Sequence, residues 1–424
     1  MEINNENDEN SIGDEIVKIR EDISYVKKFF AKRVSAFQYV ILALIIWLGS
    51  YIRLKPLSKL IDSTTGDFIT IDLDSEIFLR YAEYIAEHGK LFLVDPMRYS
   101  PFGADLSGLG TFTSYFVAYL YKFLTFFGFD ISVAYADVIY PIVAMVILSI
   151  FFFLLVRRLF DWRVALLSTL IINIIPSFLF RSIAGSSDHD ILGLMFVVMT
   201  FYLFFVSLQS KKIKYVILFG LLASLVTMLG IITAGTSNFI SLIFGLFVII
   251  EILLNKFSKK GYYVYASWFL PIIFWFVIRS GFSGITSLAN SVPASIALFA
   301  LVLSTSHFLL FEIKLFRRYS EKIKLPSGII SLIIAIFVSL IVSLIFYGPG
   351  FIAFKLWAFS VHLFKSYAEN RWTLTVDENH RPYVTDWFGQ LGKVFVFSFI
   401  FGSILLFYDM IKPLKRRLIL IGAY

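Results

Sequence analysis

The sequence predicts an all-α polytopic membrane protein, a bundle of about ten spans carrying two long loops on one face. Three observations predict it. Of the 424 residues, 58% are hydrophobic and only 16% charged, with a mean hydropathy of +0.80, well outside the soluble globular range. Apolar runs recur at the length a bilayer demands, roughly 18 to 25 residues. The lysines and arginines gather in short clusters between those runs. This explains the net charge of +8 as a topology signal, so no nucleic-acid partner is implied. There is no cysteine, which excludes disulfides and thiolate metal sites.

Residues 1–36 are polar, acidic first and then basic at Lys27, Lys28, Lys32 and Arg33. A signal peptide would place an apolar region near the start, and none is there. The segment reads as a cytoplasmic amphipathic leader, followed by a first span acting as an uncleaved anchor. Spans are predicted near 37–55, 134–156, 164–180, 190–208, 213–230, 236–254, 262–280, 293–312, 328–347 and 394–411. Residues 412–424 read as a cytoplasmic basic segment and the start of a further, truncated span.

Basic clusters decide the sides. They lie at Lys27 to Arg33, at Arg157, Arg158 and Arg163, at Lys211, Lys212 and Lys214, at Lys256, Lys259 and Lys260, at Lys314 to Lys324, and at Lys412 to Arg417. Positive-inside placement puts two spans between successive clusters, provided that the apolar run 110–128 does not cross. Its aromatic residues (Phe112, Tyr115, Phe116, Tyr119, Tyr121 and Phe123) suit a helix lying in the outer interface. The outer face then receives a loop at 56–133, a short loop near 181–189 and a second long loop at 348–392. Few ionisable groups stand inside the spans; Glu251, His307 and Glu312 lie toward their cytoplasmic ends. That argues against a transporter, and no internal repeat is visible.

Three acidic elements share that outer face: Asp72-Leu-Asp74, Asp188-His189-Asp190 and Thr375-Val-Asp377-Glu378. Each has a local explanation. Asp72 and Asp74 precede a predicted short amphipathic helix over 75–88 that stops at Gly89, so one of them could cap it. Asp188 and Asp190 stand just before a span, where a helix N-terminus favours negative charge. Thr375 and Glu378 have capping-box spacing, although Asn379-His380-Arg381-Pro382 leaves little room for a helix. Brought together, the carboxylates would instead form a hard-oxygen divalent-metal site. A metal there would serve an enzyme acting on a lipid-linked sugar phosphate by stabilising the leaving phosphate, with carboxylates in reach of a weak acceptor nucleophile.

At these residues the chain resembles the catalytic subunit of oligosaccharyltransferase, in particular the single-subunit archaeal and bacterial type. Asp74-Ser-Glu-Ile-Phe-Leu-Arg80 resembles the family's first acidic motif. Asp95-Pro96 with Tyr99-Ser-Pro-Phe-Gly103 resembles a segment of its first outer loop. Arg181-Ser-Ile-Ala-Gly-Ser-Ser-Asp-His-Asp190 is similar to the second acidic motif, and Thr375-Val-Asp-Glu378 to a short element of the large mobile loop. The resemblance implies a glycosyltransferase C-type membrane fold over 37–411. It also implies metal-dependent transfer of a glycan, with inversion, from a dolichyl or polyprenyl phosphate or diphosphate to asparagine in Asn-X-Ser/Thr sequons. By that resemblance Asp74, Asp188, Asp190 and Glu378 hold Mg²⁺ or Mn²⁺, and Asp74 and Glu378 also engage the acceptor amide. Asp72, Arg80, His189 and Thr375 are implied to support the site or meet substrate.

The implied partners are a lipid-linked oligosaccharide, an acceptor polypeptide with a sequon, membrane lipid and, on one reading, a separate C-terminal half. The implied place is a prokaryotic, archaeal-type cell membrane, with the N-terminus cytoplasmic and the active site outside. Gly348-Pro-Gly350 suits a hinge for the second loop, whose apolar segment 351–364 would rest on the bilayer. Some family features are missing: the W-W-D-Y-G motif of the soluble outer domain, the pyrophosphate-binding arginine of a late span, and an aromatic glycine motif where Ala234-Gly235-Thr236 stands. The sequence therefore leaves two alternatives open: another C-type glycosyltransferase using polyprenyl-phosphate sugar, or a catalytically incomplete relative.

Overall fold

The computed structural model describes residues 36–106, 110–313, 325–364 and 383–411. The leader, Thr375, Glu378 and the final basic segment lie outside the described residues. Helix α1 (Ala36–Lys59) leads to α2 (Leu73–His88), a two-residue antiparallel hairpin of β1 (Val94–Asp95) and β2 (Ala104–Asp105), and α3 (Phe112–Phe126). Then come α4 (Val133–Leu159), α5 (Trp162–Ile174), α6 (Pro176–Phe180), α7 (His189–Gln209), α8 (Ile213–Ile231) and α9 (Phe239–Leu253). The chain continues through α10 (Lys259–Ser280), α11 (Phe282–Asn290) and α12 (Val292–His307), which runs into a π turn over Phe308–Glu312. After the undescribed segment come α13 (Ser327–Tyr347), α14 (Pro349–Phe364), α15 (Val384–Leu391) and α16 (Lys393–Ile411).

Eight helices among the described residues are long and apolar enough to cross a membrane, nine if α15 and α16, bent by 105° about Gly392, make one span. The predicted span at 164–180 is interrupted. Pro176 has no amide proton, and Ile175 before it adopts extended backbone (φ −67°, ψ 130°), as residues preceding proline prefer; α5 alone is 13 residues. Helix α2 falls where predicted, closed by Gly89 at φ +80°. Four of its five buried residues, Ser75, Leu79, Ala82 and Ile85, recur at helical spacing, and the helix packs on α3 and α4. Helix α3, at 15 residues, is shorter than a crossing requires. Helix α14 starts two residues earlier than predicted, because Gly348 (φ +76°) breaks α13 and a proline is well suited to open a helix.

Small residues and fitted aromatics hold the bundle, because lipid supplies no hydrophobic drive between helices. Gly220 of α8 lies so close to Ser267 of α10, and Gly245 of α9 to Ala297 of α12, that a Cβ on either glycine would press into its neighbour. Phe204, Phe244 and Trp268 interlock in the largest buried cluster, and the Trp268 indole donates to Thr227 Oγ1 at 2.9 Å. That bond joins α10 to α8 and is worth about 0.6 kcal/mol in such a setting.

Candidate active site

Three parts of the chain grip the segment from Arg181 to Asp188. The Ala184 amide donates to the Arg53 carbonyl of α1 (3.1 Å), and the Gly185 amide to the Val138 carbonyl of α4 (3.0 Å). The Ile71 amide, just before α2, donates to the Gly185 carbonyl (2.9 Å). Gly185 makes this approach possible: its φ is +86°, and a Cβ there would come within 2.7 Å of Leu60. Side chains repeat the pattern. Ser186 Oγ donates to Asp72 Oδ2 at 2.8 Å, Ser187 Oγ to Asp137 Oδ2 at 2.5 Å, and the Tyr140 hydroxyl to the Asp188 carbonyl. Below them Arg53, fully buried, donates to Ser182 Oγ (2.8 Å) and to the carbonyls of Gly49 (3.1 Å) and Asn173 (2.9 Å).

This clamp fixes the charges at the start of α7. Asp188 is the N-cap; its Oδ1 accepts from the His189 amide at 2.6 Å and lies 2.5 Å from His189 Nδ1. Arg181 Nη1 stands 3.6 Å from Asp188 Oδ2 and 3.4 Å from Asp190 Oδ2, so one guanidinium serves both carboxylates. Burial pushes the Asp188 carboxyl up, but the His189 ring, the His189 amide and Arg181 outweigh it and hold it below the usual aspartate value. Asp74, exposed in the first turn of α2, is near enough for its charge to act on His189. Phe78, one turn on, meets the His189 ring edge-on at 5.8 Å.

The structure thus brings Asp72, Asp74, Asp188, His189 and Asp190 to one end of the bundle. Asp72 does occupy the cap position of α2, yet its side chain makes no capping bond there; it holds Ser186 instead. Among the described residues no three acidic or histidine side chains are spaced to share one ion. The donor set still suits a hard cation: carboxylates two positions apart converge on a single positive charge, the place now taken by Arg181. Glu378, the fourth predicted ligand, lies outside the described residues. Arg80 stands apart from this group. It pairs with the buried Asp95, which also accepts from the Tyr81 hydroxyl (2.8 Å) and the Met97 amide (3.0 Å). Burial raises the Asp95 carboxyl, and these donors, Tyr81 first, more than reverse it.

Sequence reasoning missed Asp137 and Arg53. Both are ionisable residues inside predicted spans, 134–156 and 37–55, and such residues are expensive in a bilayer and so mark a site. Asp137 is fully buried near the start of α4, with Oδ2 on Ser187 and no protein partner for Oδ1. With Val138 and Tyr140 it makes α4 a template for the acidic segment.

The chain that carries this arrangement has relatives. Residues 37–412 match the family model described as "Oligosaccharyl transferase STT3, N-terminal". The chain belongs to that family. Its fold is also that of the membrane part of the Archaeoglobus fulgidus oligosaccharyltransferase. The similarity to that protein, AglB, in complex with an inhibitory peptide and a dolichol-phosphate has a TM-score of 0.69 at 16% identity, covering 92% of this chain and 46% of the other. To its complex with Zn and sulfate the TM-score is 0.64 at 16% identity, covering 90% and 44%. To the form tethered with an acceptor peptide containing the NVT sequon it is 0.67 at 16% identity, covering 92% and 46%. This STT3-family chain thus spans a little under half the length of the archaeal proteins it matches.

Proposed function

We propose that this chain is the membrane-embedded catalytic part of an oligosaccharyltransferase, moving a glycan from a lipid phosphate or diphosphate to the asparagine of an Asn-X-Ser/Thr sequon. The observation that carries the reading is the union of the two acidic segments: Ser186 bound to Asp72, and Ile71 bound to Gly185, across more than a hundred residues of chain. Family membership and the complexes of the archaeal protein with dolichol-phosphate, a metal and a sequon peptide support it.

Asp74, Asp188, Asp190 and Glu378 would hold Mg²⁺ or Mn²⁺, two ions that oxygen-rich sites accept alike. When bound, such an ion supplies charge neutralisation at the leaving phosphate. The chain's own residues do the rest. Asp74, exposed at the start of α2, and Glu378 accept hydrogen bonds from the acceptor amide NH₂, whose lone pair is delocalised and weakly nucleophilic. Attack on the anomeric carbon then inverts it. His189, held by Asp188, keeps that carboxylate turned toward the site, and Thr375 orients the second loop near the acceptor. Asp72 keeps the first-loop segment on the Ser186 segment. The basic clusters place these loops on the outer face, with the N-terminus cytoplasmic.

Titrating Mn²⁺ into the purified chain tests this. Asp74→Asn, Asp188→Asn and Glu378→Gln should each weaken binding at least tenfold, since each removes a charged oxygen ligand. Unchanged affinity in all three would leave these residues without a metal to hold and sink the proposal. Transfer to an NVT peptide from polyprenyl-linked glycan, measured alongside with the C-terminal part supplied, would separate metal binding from the reaction itself.

A further inference from the structure

We propose that the end of the bundle bearing the acidic centre also holds one anionic membrane phospholipid, in a site that takes no part in the reaction. The proposal is independent of the transfer reading. A cavity of about 580 Å³ opens between the start of α3 and the ends of α8 and α10, lined by Thr111, Tyr115, Ile232, Trp275, Phe276 and Arg279 among others. Beside it along α3 lies an apolar groove of about 330 Å³ formed by Phe112, Tyr115, Phe116, Tyr119, Leu120 and Phe123. Phe112 and Tyr115 line both, so the two adjoin. From Phe112 to Phe123 the helix rises about 16 Å, a trough for a hydrocarbon chain.

The two parts differ in chemistry as the two ends of a phospholipid do. Arg279 is the charged residue among those lining the cavity, and none of them is acidic. Its guanidinium lies 5.7 Å from the Trp275 ring, an arginine–tryptophan pair of the kind that sits at headgroup depth. Thr111 and the Tyr115 hydroxyl add neutral polar groups. The groove, by contrast, is almost wholly apolar, and Tyr119 and Phe123 are each 59% exposed on it.

The cavity neighbours the acidic centre without sharing it. Gly110 lies against the Thr233 carbonyl, and Ala234 against Gly193, one turn beyond Asp190 in α7. Asp74, Asp188 and Asp190 do not line the cavity. A phosphate held at Arg279 therefore belongs to a resident lipid, wedging α3 against α10 beside the site.

Native mass spectrometry of the full chain, with dioleoylphosphatidylglycerol or dioleoylphosphatidylcholine added to detergent micelles, tests this. One phosphatidylglycerol should survive activation that strips phosphatidylcholine. Arg279→Gln, an exposed position, should weaken its retention roughly tenfold, the loss of one charge-assisted contact. Tyr119→Ala with Phe123→Ala should weaken both lipids while leaving the preference intact. Equal retention of the two lipids, or no effect of Arg279→Gln, would overturn the site. Displacement of phosphatidylglycerol one for one by polyprenyl phosphate would overturn it too, by assigning the cavity to a donor lipid.

Discussion

Two arginine–carboxylate groups sit within the same end of the bundle, and they have opposite characters. Arg80 meets Asp95 in a closed arrangement: the Asp95 side chain is fully buried, and Tyr81 and the Met97 amide complete its bonds. Arg181 meets Asp188 and Asp190 in an open one, at 3.4–3.6 Å, with the guanidinium side chain 48% exposed and the Asp190 side chain 36% exposed. A buried carboxylate with both oxygens bonded by protein donors holds structure together. A pair of carboxylates sharing one loosely placed cation can exchange it.

The sharpest test of this contrast is to break the closed group. Asp95→Ala leaves the part-exposed Arg80 without its carboxylate and the buried Tyr81 hydroxyl without its acceptor, a loss of about 1–3 kcal/mol for an unsatisfied buried polar group. Thermal unfolding in detergent should register it as a clear drop. Mn²⁺ affinity in the protein that remains folded should stay within about twofold, since the hairpin touches no proposed ligand. A large fall in affinity with little change in stability would mean that Arg80 and Asp95 serve the site, as the sequence reading of Arg80 supposed.

Gly185→Ala strikes the clamp that supports the open group. The new Cβ would require φ +86° of an ordinary residue and collide with Leu60 and Ile71, a cost on the order of 1–3 kcal/mol. Because Gly185 joins the Ile71 segment to Val138 of α4, the damage should reach Mn²⁺ binding as well as stability. If binding survives intact, the bonds of Ser186, Ser187 and Tyr140 suffice to hold the acidic segment.

The sequence carried the bundle and the acidic elements clearly, for different physical reasons. Span positions follow from long apolar runs, and α2 from its apolar spacing and terminal glycine. The break within the span at 164–180 was not legible, because hydropathy ignores what Pro176 does to Ile175. Asp188 and Asp190 were legible because two acids and a histidine exceed what a helix N-terminus needs. That Arg181 stands between them, while Arg80 turns away to Asp95, was not legible: both arginines sit within seven residues of an acidic motif, and only the fold decides which carboxylate each meets. Asp137 was hidden for a plainer reason, a single acid inside a run whose average is apolar.

The smallest expected effect sharpens the comparison most. Arg181→Gln removes a half-exposed cation, so the change in stability at pH 7 should stay below about 1 kcal/mol. Its consequences should appear in acid and in metal binding. The Asp188 carboxyl is held below the ordinary aspartate value of 3.8, by His189 more than by Arg181. A depressed carboxylate stabilises the fold fully above its unfolded value and loses that contribution as pH falls through its folded one. Without Arg181 the folded value rises slightly, and the acid transition of the metal-free chain should begin at a higher pH. In Mn²⁺ titrations at pH 7 the variant should bind a few-fold more tightly, because the ion no longer displaces a guanidinium from Asp188 and Asp190. A marked loss of affinity would show the reverse: that Arg181 holds the two carboxylates in place for the metal, and that the open group is as structural as the closed one.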